Sequence, residues 1–128
     1  MAALFVENFQ MRQAPGPSTR IDITGAMFSM TAPTPVPVTI DPHLVVLIYC
    51  PPNEGGMGVF EAYFRSGLAD DSSELARWID PFKVEPGKFT YRLTKTGLDF
   101  TEYGTVYAHC RVDKGPWTIV PFTLLPPT

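Results

Sequence analysis

Apolar and polar residues alternate most clearly between Thr105 and Leu124. Val106, Ala108, Cys110 and Val112 alternate with Thr105, Tyr107, His109 and Arg111, the period of a strand with one dry and one wet side. Val120, Phe122 and Leu124 then alternate with Ile119, Pro121 and Thr123. Asp113-Lys114-Gly115 between them is turn sequence, so the pattern predicts a hairpin.

The same reading applied upstream gives further short strands. Leu4 to Phe9 is β-prone, Gln13 to Ser18 around Pro15-Gly16-Pro17 reads as a turn, and Ile21 to Met30 resumes alternation until Gly25 suggests a bulge or a bend. Pro33, Pro35 and Pro37 remove ladder donors, which favours a stiff loop crossing between sheets over a ligand for a proline-recognising domain. Leu44 to Cys50 is apolar on both sides, as a central strand would be. After the Pro51 to Gly56 loop, Gly58 to Arg65 alternates again, and the two strands suggest a hairpin. Phe82 to Val84 and Phe89 to Leu93 read as strand pieces around the Glu85-Pro86-Gly87-Lys88 turn.

One segment favours a helix. Asp71 and Glu74 have the spacing of a capping box, Leu75, Trp78 and Ile79 recur at helical intervals, and Pro81 would end the element. The expectation for the whole is all-β: an antiparallel two-sheet sandwich of about seven or eight strands, immunoglobulin-like or related, with one short helix over Asp71 to Ile79.

Composition agrees with this reading. The 14 prolines and 10 glycines suit short strands broken by turns, and 128 residues with 45% apolar content suit a single β-sandwich domain over residues 1–128. A net charge of -3 and the lack of a Lys/Arg cluster argue against nucleic acid. No apolar run reaches the roughly 20 residues of a membrane span, and the Ala2 to Val6 run is shorter than a signal-peptide core of about 7 to 15 residues. A cytoplasmic address is therefore expected, without membrane contact, and two cysteines fit it.

The reactive residue types form no pattern that carries chemistry. Cys50 and Cys110 lie on core strands, as in an immunoglobulin framework, but Ala108 stands where that framework has a tyrosine, and Trp78 is far from Cys50, so two buried free thiols are expected. His109 and Cys110 leave opposite sides of one strand and His43 stands apart, so no metal site is expected. Glu54-Gly55-Gly56-Met57-Gly58 lacks the lysine and helix of a phosphate loop, Asp70, Asp71 and Glu74 lack calcium-loop spacing, and no nucleophile motif is present. No catalytic residue and no cofactor are assigned.

Glu7 in an opening strand, Ile-Asp-Ile-Thr-Gly at Ile21 to Gly25, a proline-rich crossing, Leu-Val-Val-Leu, a Glu-Gly-Gly turn, Val-Glu-Pro-Gly at Val84 to Gly87 and Tyr-Gly-Thr-Val-Tyr at Tyr103 to Tyr107 follow in that order. The order resembles that of a group of small uncharacterised bacterial β-sandwich proteins. The resemblance implies a sandwich fold and assigns no functional residue.

Two functional expectations follow. The absence of a reactive constellation, beside a good supply of aromatic and Met side chains, points to a non-catalytic binding or assembly module with a protein partner. The alternative is a small-molecule binder or enzyme gripping an acidic ligand on the face of Tyr107, His109 and Arg111, with Arg65, Arg92 and Glu61. A homodimer is expected as well, because Val45, Leu47 and Tyr49 need a second cover and Trp117 and Ile119 face outward beside Pro121.

Overall fold

Alternate apolar side chains give most of the strands one side to bury, and the chain buries these sides by packing two sheets against each other. The structure is a computed structural model and describes residues 1–16, 19–95 and 97–128. In chain order the strands are β1 (Ala2–Gln13), β2 (Thr19–Met27), β3 (Ser29–Thr31), β4 (Val38–Ile40), β5 (His43–Tyr49), β6 (Gly56–Arg65), β7 (Glu74–Val84), β8 (Phe89–Lys95), β9 (Leu98–Phe100), β10 (Gly104–Val112) and β11 (Thr118–Leu125). One sheet has the order β2-β1-β5-β8 and the other the order β3-β11-β10-β6-β7, while β4 and β9 form a separate pair. The chain is all-β among the described residues, an arrangement consistent with a β-sandwich.

The core lies between the two larger sheets. Phe5, Leu44, Val46 and Ile48 from the first meet Phe60, Phe64, Ala108 and Phe122 from the second, and Ile40, Leu98 and Phe100 of the β4–β9 pair join the same cluster. The Phe5 ring lies 5.1 Å from Phe122 and 6.3 Å from Phe64. Cys50 and Cys110 are buried and free, and burial pushes the Cys110 thiol up to about 12, which keeps it protonated and inert at neutral pH.

The hairpin expected between Thr105 and Leu124 is β10 and β11. Asp113 and Lys114 both take positive φ, 49° and 59°, and the Gly115 amide donates to the Val112 carbonyl at 2.9 Å. The Asp113 carboxylate accepts from the Val59 amide at 2.8 Å, which ties the turn to β6 and helps hold a conformation that neither residue favours. β5 is central, between β1 and β8.

Several expectations are corrected. No helix is present among the described residues: Glu74 to Ile79 belongs to β7, which pairs antiparallel with β6 as far as Val84. Ala76, Trp78 and Phe82 point to the core at period two, and the ladder to β6 outweighs the capping of a helix short enough to be marginal on its own. Pro81 is accommodated because β7 is an edge strand. Asp70 and Asp71 cap nothing; they lie in the turn between β6 and β7, where the Ser72 amide donates to the Ala69 carbonyl.

The hairpin expected from β5 and β6 does not form, since β5 belongs to the first sheet and β6 to the second, and Pro51 to Gly55 carries the chain across. The sheets are not wholly antiparallel either, because β3 runs parallel to β11 at Thr123 to Leu125. Of the turn expected over Gln13 to Ser18, Pro17 and Ser18 lie outside the described residues. Phe122 makes the joint between the sheets, so Phe122→Ala is expected to lower stability by about 3 to 5 kcal/mol, measured by urea unfolding.

Candidate functional site

Register fixes which side chains share the outer surface of the second sheet. In the β6–β10 ladder Arg65 stands opposite Tyr107, Tyr63 opposite His109, and Glu61 opposite Arg111, while β7 places Arg77 opposite Tyr63. Because Phe60, Phe64 and Ala108 point into the core, all of these point away from it. Ile119 and Pro121 of β11 complete the row beside His109 and Tyr107.

Trp117, just before β11, is the hub of this face. The Arg111 guanidinium lies 4.2 Å from its ring, Arg65 lies 5.9 Å from it, and Tyr63 and His109 meet it edge-on at 5.8 and 5.9 Å. Arg65 and Arg77 also lie over the Tyr63 ring, at 4.9 and 5.1 Å. Under this cover His109 is only 1% exposed, and its Nε2 donates to the Gly67 carbonyl at 2.8 Å.

Glu61 is the buried acid of the cluster. Its carboxylate accepts from the Tyr63 hydroxyl at 2.5 Å and from Arg111 Nη2 at 3.2 Å. Its pKa is lowered, first by the Tyr63 hydrogen bond and then by the bond and charge of Arg111, with burial working in the opposite direction. The Tyr63 pKa is raised for the reciprocal reason, since its proton is held by Glu61, and burial adds to this.

The sequence-derived candidates divide among three places. Tyr107, His109, Arg111 and Arg65, with Glu61, do share one face. Arg92 does not: it leaves the inner side of β8 and closes the open edge of the sandwich, donating from Nη2 to the Pro81 carbonyl at 3.2 Å, lying over Phe82, and placing Nε 3.1 Å from an Asp80 oxygen out of line for a hydrogen bond. The expected interface residues also separate. Val45, Leu47 and Tyr49 are on the outer side of the first sheet, whereas Trp117 and Ile119 belong to the second, so the five do not form one surface, and Val45, expected to need a second cover, is already fully buried within the chain. Tyr63, Arg77 and the central role of Trp117 were missed; strand parity alone placed Tyr63 beside Glu61 and Arg65, but only the β6–β7 register adds Arg77.

The best-formed clefts among the described residues lie elsewhere and are small. One of about 130 Å³ is lined by Cys50, Gly56, Phe82 and Asp113, and two of about 200 Å³ lie beside Tyr103 and beside Met30; none is lined by Tyr63, Arg65, His109, Arg111 or Trp117. Ligand pockets usually enclose about 300 to 1,000 Å³. Among the described residues no three His, Cys, Asp or Glu side chains come together as a metal would require. No helix of the described chain is long and apolar enough to cross a membrane.

A scan against models of known protein families and a search of curated proteins return no match to this chain.

The Glu61–Tyr63 pair makes stability depend on pH with a definite sign. Because the folded-state pKa of Glu61 is depressed, its contribution is present above the ordinary value of 4.5 and is lost as pH falls through the lower folded value. The raised pKa of Tyr63 gives a contribution that is present below its ordinary 10.0 and lost as pH rises through the higher folded value. Tyr63→Phe is expected to cost about 1 to 3 kcal/mol at neutral pH, with the difference from wild type shrinking once Glu61 protonates in acid. Thermal unfolding of both proteins across pH checks it.

Proposed function

We propose that this protein is a non-catalytic binding and assembly module that pairs with a second copy of itself through the outer side of β1, β5 and β8. The observation that carries this reading is the orientation of β8. Thr90, Arg92 and Thr94 stand opposite Ile48, Val46 and Leu44, whose side chains point into the core, so Phe89, Tyr91 and Leu93 point outward. A strand normally turns its apolar side to the dry face of a sheet. Here the apolar side lies beside Tyr49, Leu47 and Val45 of β5, and beyond them Leu4 of β1, a block without a charged residue.

Magnitudes favour a weak, concentration-dependent dimer. Phe89, Tyr49 and Tyr91 are 69, 46 and 40% exposed. At about 150 to 250 Å² per aromatic side chain, that amounts to roughly 300 Å² from each copy, or about 7 kcal/mol per copy by area. Association opposes this with about 4 to 15 kcal/mol, so the roughly 14 kcal/mol from two copies is of the same size as the upper end of the cost, the regime of weak pairing. The Tyr49–Phe89 ring contact, at 5.1 Å, already orders part of the surface before pairing.

The order β1-β5-β8 opposite β11-β10-β6-β7, with β3 parallel at the outer edge of β11, supports an immunoglobulin-like sandwich.

Size exclusion with light scattering tests the dimer. The mass is expected to rise toward twice the 14.2 kDa of one chain across micromolar concentrations, and Phe89→Glu, at an exposed edge position, is expected to return it to one chain. A wild-type mass that stays at one chain throughout overturns the proposal.

A further inference from the structure

The outer face of the second sheet holds a cation that its own acids leave unmatched. Arg111 engages Glu61 at 3.2 Å, and Arg77 engages Glu74 through hydrogen bonds of 2.9 to 3.1 Å. Glu74 stands opposite Arg65 in the β6–β7 ladder, beside a register shift, and a cross-strand ion pair is the ordinary outcome of such a placement. Instead its carboxylate is turned to Arg77. Among the described residues Arg65 has no carboxylate partner; its guanidinium rests on the rings of Tyr63 and Trp117.

A second observation lies on the same face. The Nε atoms of Arg65 and Arg111 and the Nδ1 of His109 are buried without a hydrogen-bond partner. A buried polar group left unpaired costs about 1 to 3 kcal/mol, and more when it is charged. All three groups pack against one indole, that of Trp117. With His109 Nε2 donating to Gly67, its Nδ1 is an acceptor, so the donors left in reserve for an incoming group are the two arginine Nε–H groups, with the indole as the part that must shift to admit it.

We propose that this face docks an acidic segment of a protein partner, with Arg65 and Arg111 taking its carboxylates. Charge selects the acid, because the unmatched group is a guanidinium whose planar edge fits a carboxylate, and stacking on aromatic rings holds that edge in place before contact. Shape selects a peptide over a small molecule, because the best-formed clefts open elsewhere and tryptophan, tyrosine and arginine on an open face are the residues that dominate protein–protein contacts. The net charge of -3 disfavours nucleic acid, which would need a row of unmatched cations.

The test is fluorescence anisotropy of a dye-labelled oligoglutamate peptide against the full chain, with oligoglutamine as the uncharged reference and inorganic phosphate as competitor. Oligoglutamate is expected to bind about tenfold or more tighter than oligoglutamine, the increment of one charge-assisted hydrogen bond, with a change in Trp117 emission. Arg65→Gln is expected to abolish that preference while leaving the thermal midpoint near wild type, since among the described residues Arg65 gives up only its ring contacts and no hydrogen bond or ion pair. Should the glutamine variant misfold, Arg65→Lys keeps the charge without the planar fork and is expected to lose most of the preference. Equal affinity for the two peptides, or a preference that survives both substitutions, overturns the proposal. Displacement by phosphate at concentrations matching the peptide overturns it in favour of a small-anion site.

Discussion

Phe5 set between Phe64 and Phe122 is the contact on which the rest of the molecule depends. It joins the two sheets at their centre, and it also fixes strand parity. With Phe5 inward, Leu4 and Val6 must point outward; with Phe60 and Phe64 inward, Glu61, Tyr63 and Arg65 must as well. Register then carries the choice to the neighbours, so that His109 and Arg111 follow from Phe64 without any further instruction. A slip of one residue in β6 would bury Glu61, Tyr63 and Arg65 and expose two phenyl rings, and that penalty locks the alignment.

The two outer faces meet water in different ways. On the second sheet, the guanidinium groups of Arg65 and Arg77 lie over Tyr63 and the Trp117 indole packs beside Tyr63 and His109, so the apolar area there is covered from within the chain. The first sheet has no long charged side chain among Leu4, Val45, Leu47, Tyr49, Phe89, Tyr91 and Leu93, and its aromatic rings remain exposed at Tyr49 and Phe89. One face is covered by its own cations and aromatic rings. The other buries Val6 and Val45 but leaves Tyr49, Tyr91 and Phe89 open to water.

Much of this was legible in the sequence wherever one alternation held over a long strand. β10 and β11 could be placed, with the turn between them, because both dry sides and the Asp113-Lys114-Gly115 connection agree. The row Tyr107, His109 and Arg111 followed from the same parity. The segment from Glu74 onward was misread because Leu75, Trp78 and Ile79 fit a helical stripe while Ala76, Trp78 and Phe82 fit a strand, and only the ladder to β6 decides between them. Trp117 was hidden for another reason: it lies in an aperiodic segment, so no period assigns it a side. Arg92 was misplaced because alternation says which residues of β8 share a side but not which side faces the core, and at this sheet edge the polar side is the inner one.

The two faces lie on opposite sides of the sandwich, which constrains how they act together. In a dimer built through the first sheets, four sheets stack with the two arginine faces outermost, and at about 10 Å per sheet spacing these faces stand roughly 30 Å apart. An extended peptide advances about 3.3 Å per residue, and it would have to pass around the edge of the stack rather than through it, so a short segment reaches one face only. Two acidic segments on a short linker therefore gain no avidity from the dimer. Two separate partner chains do become linked, one on each side. Salt separates the steps, because screening weakens the contact made by Arg65 and Arg111 while apolar association through Phe89 and Tyr49 is left in place. On the proposed arrangement the assembly step would stand without the docking step, and self-pairing through the apolar face would set how many acidic segments one particle could hold.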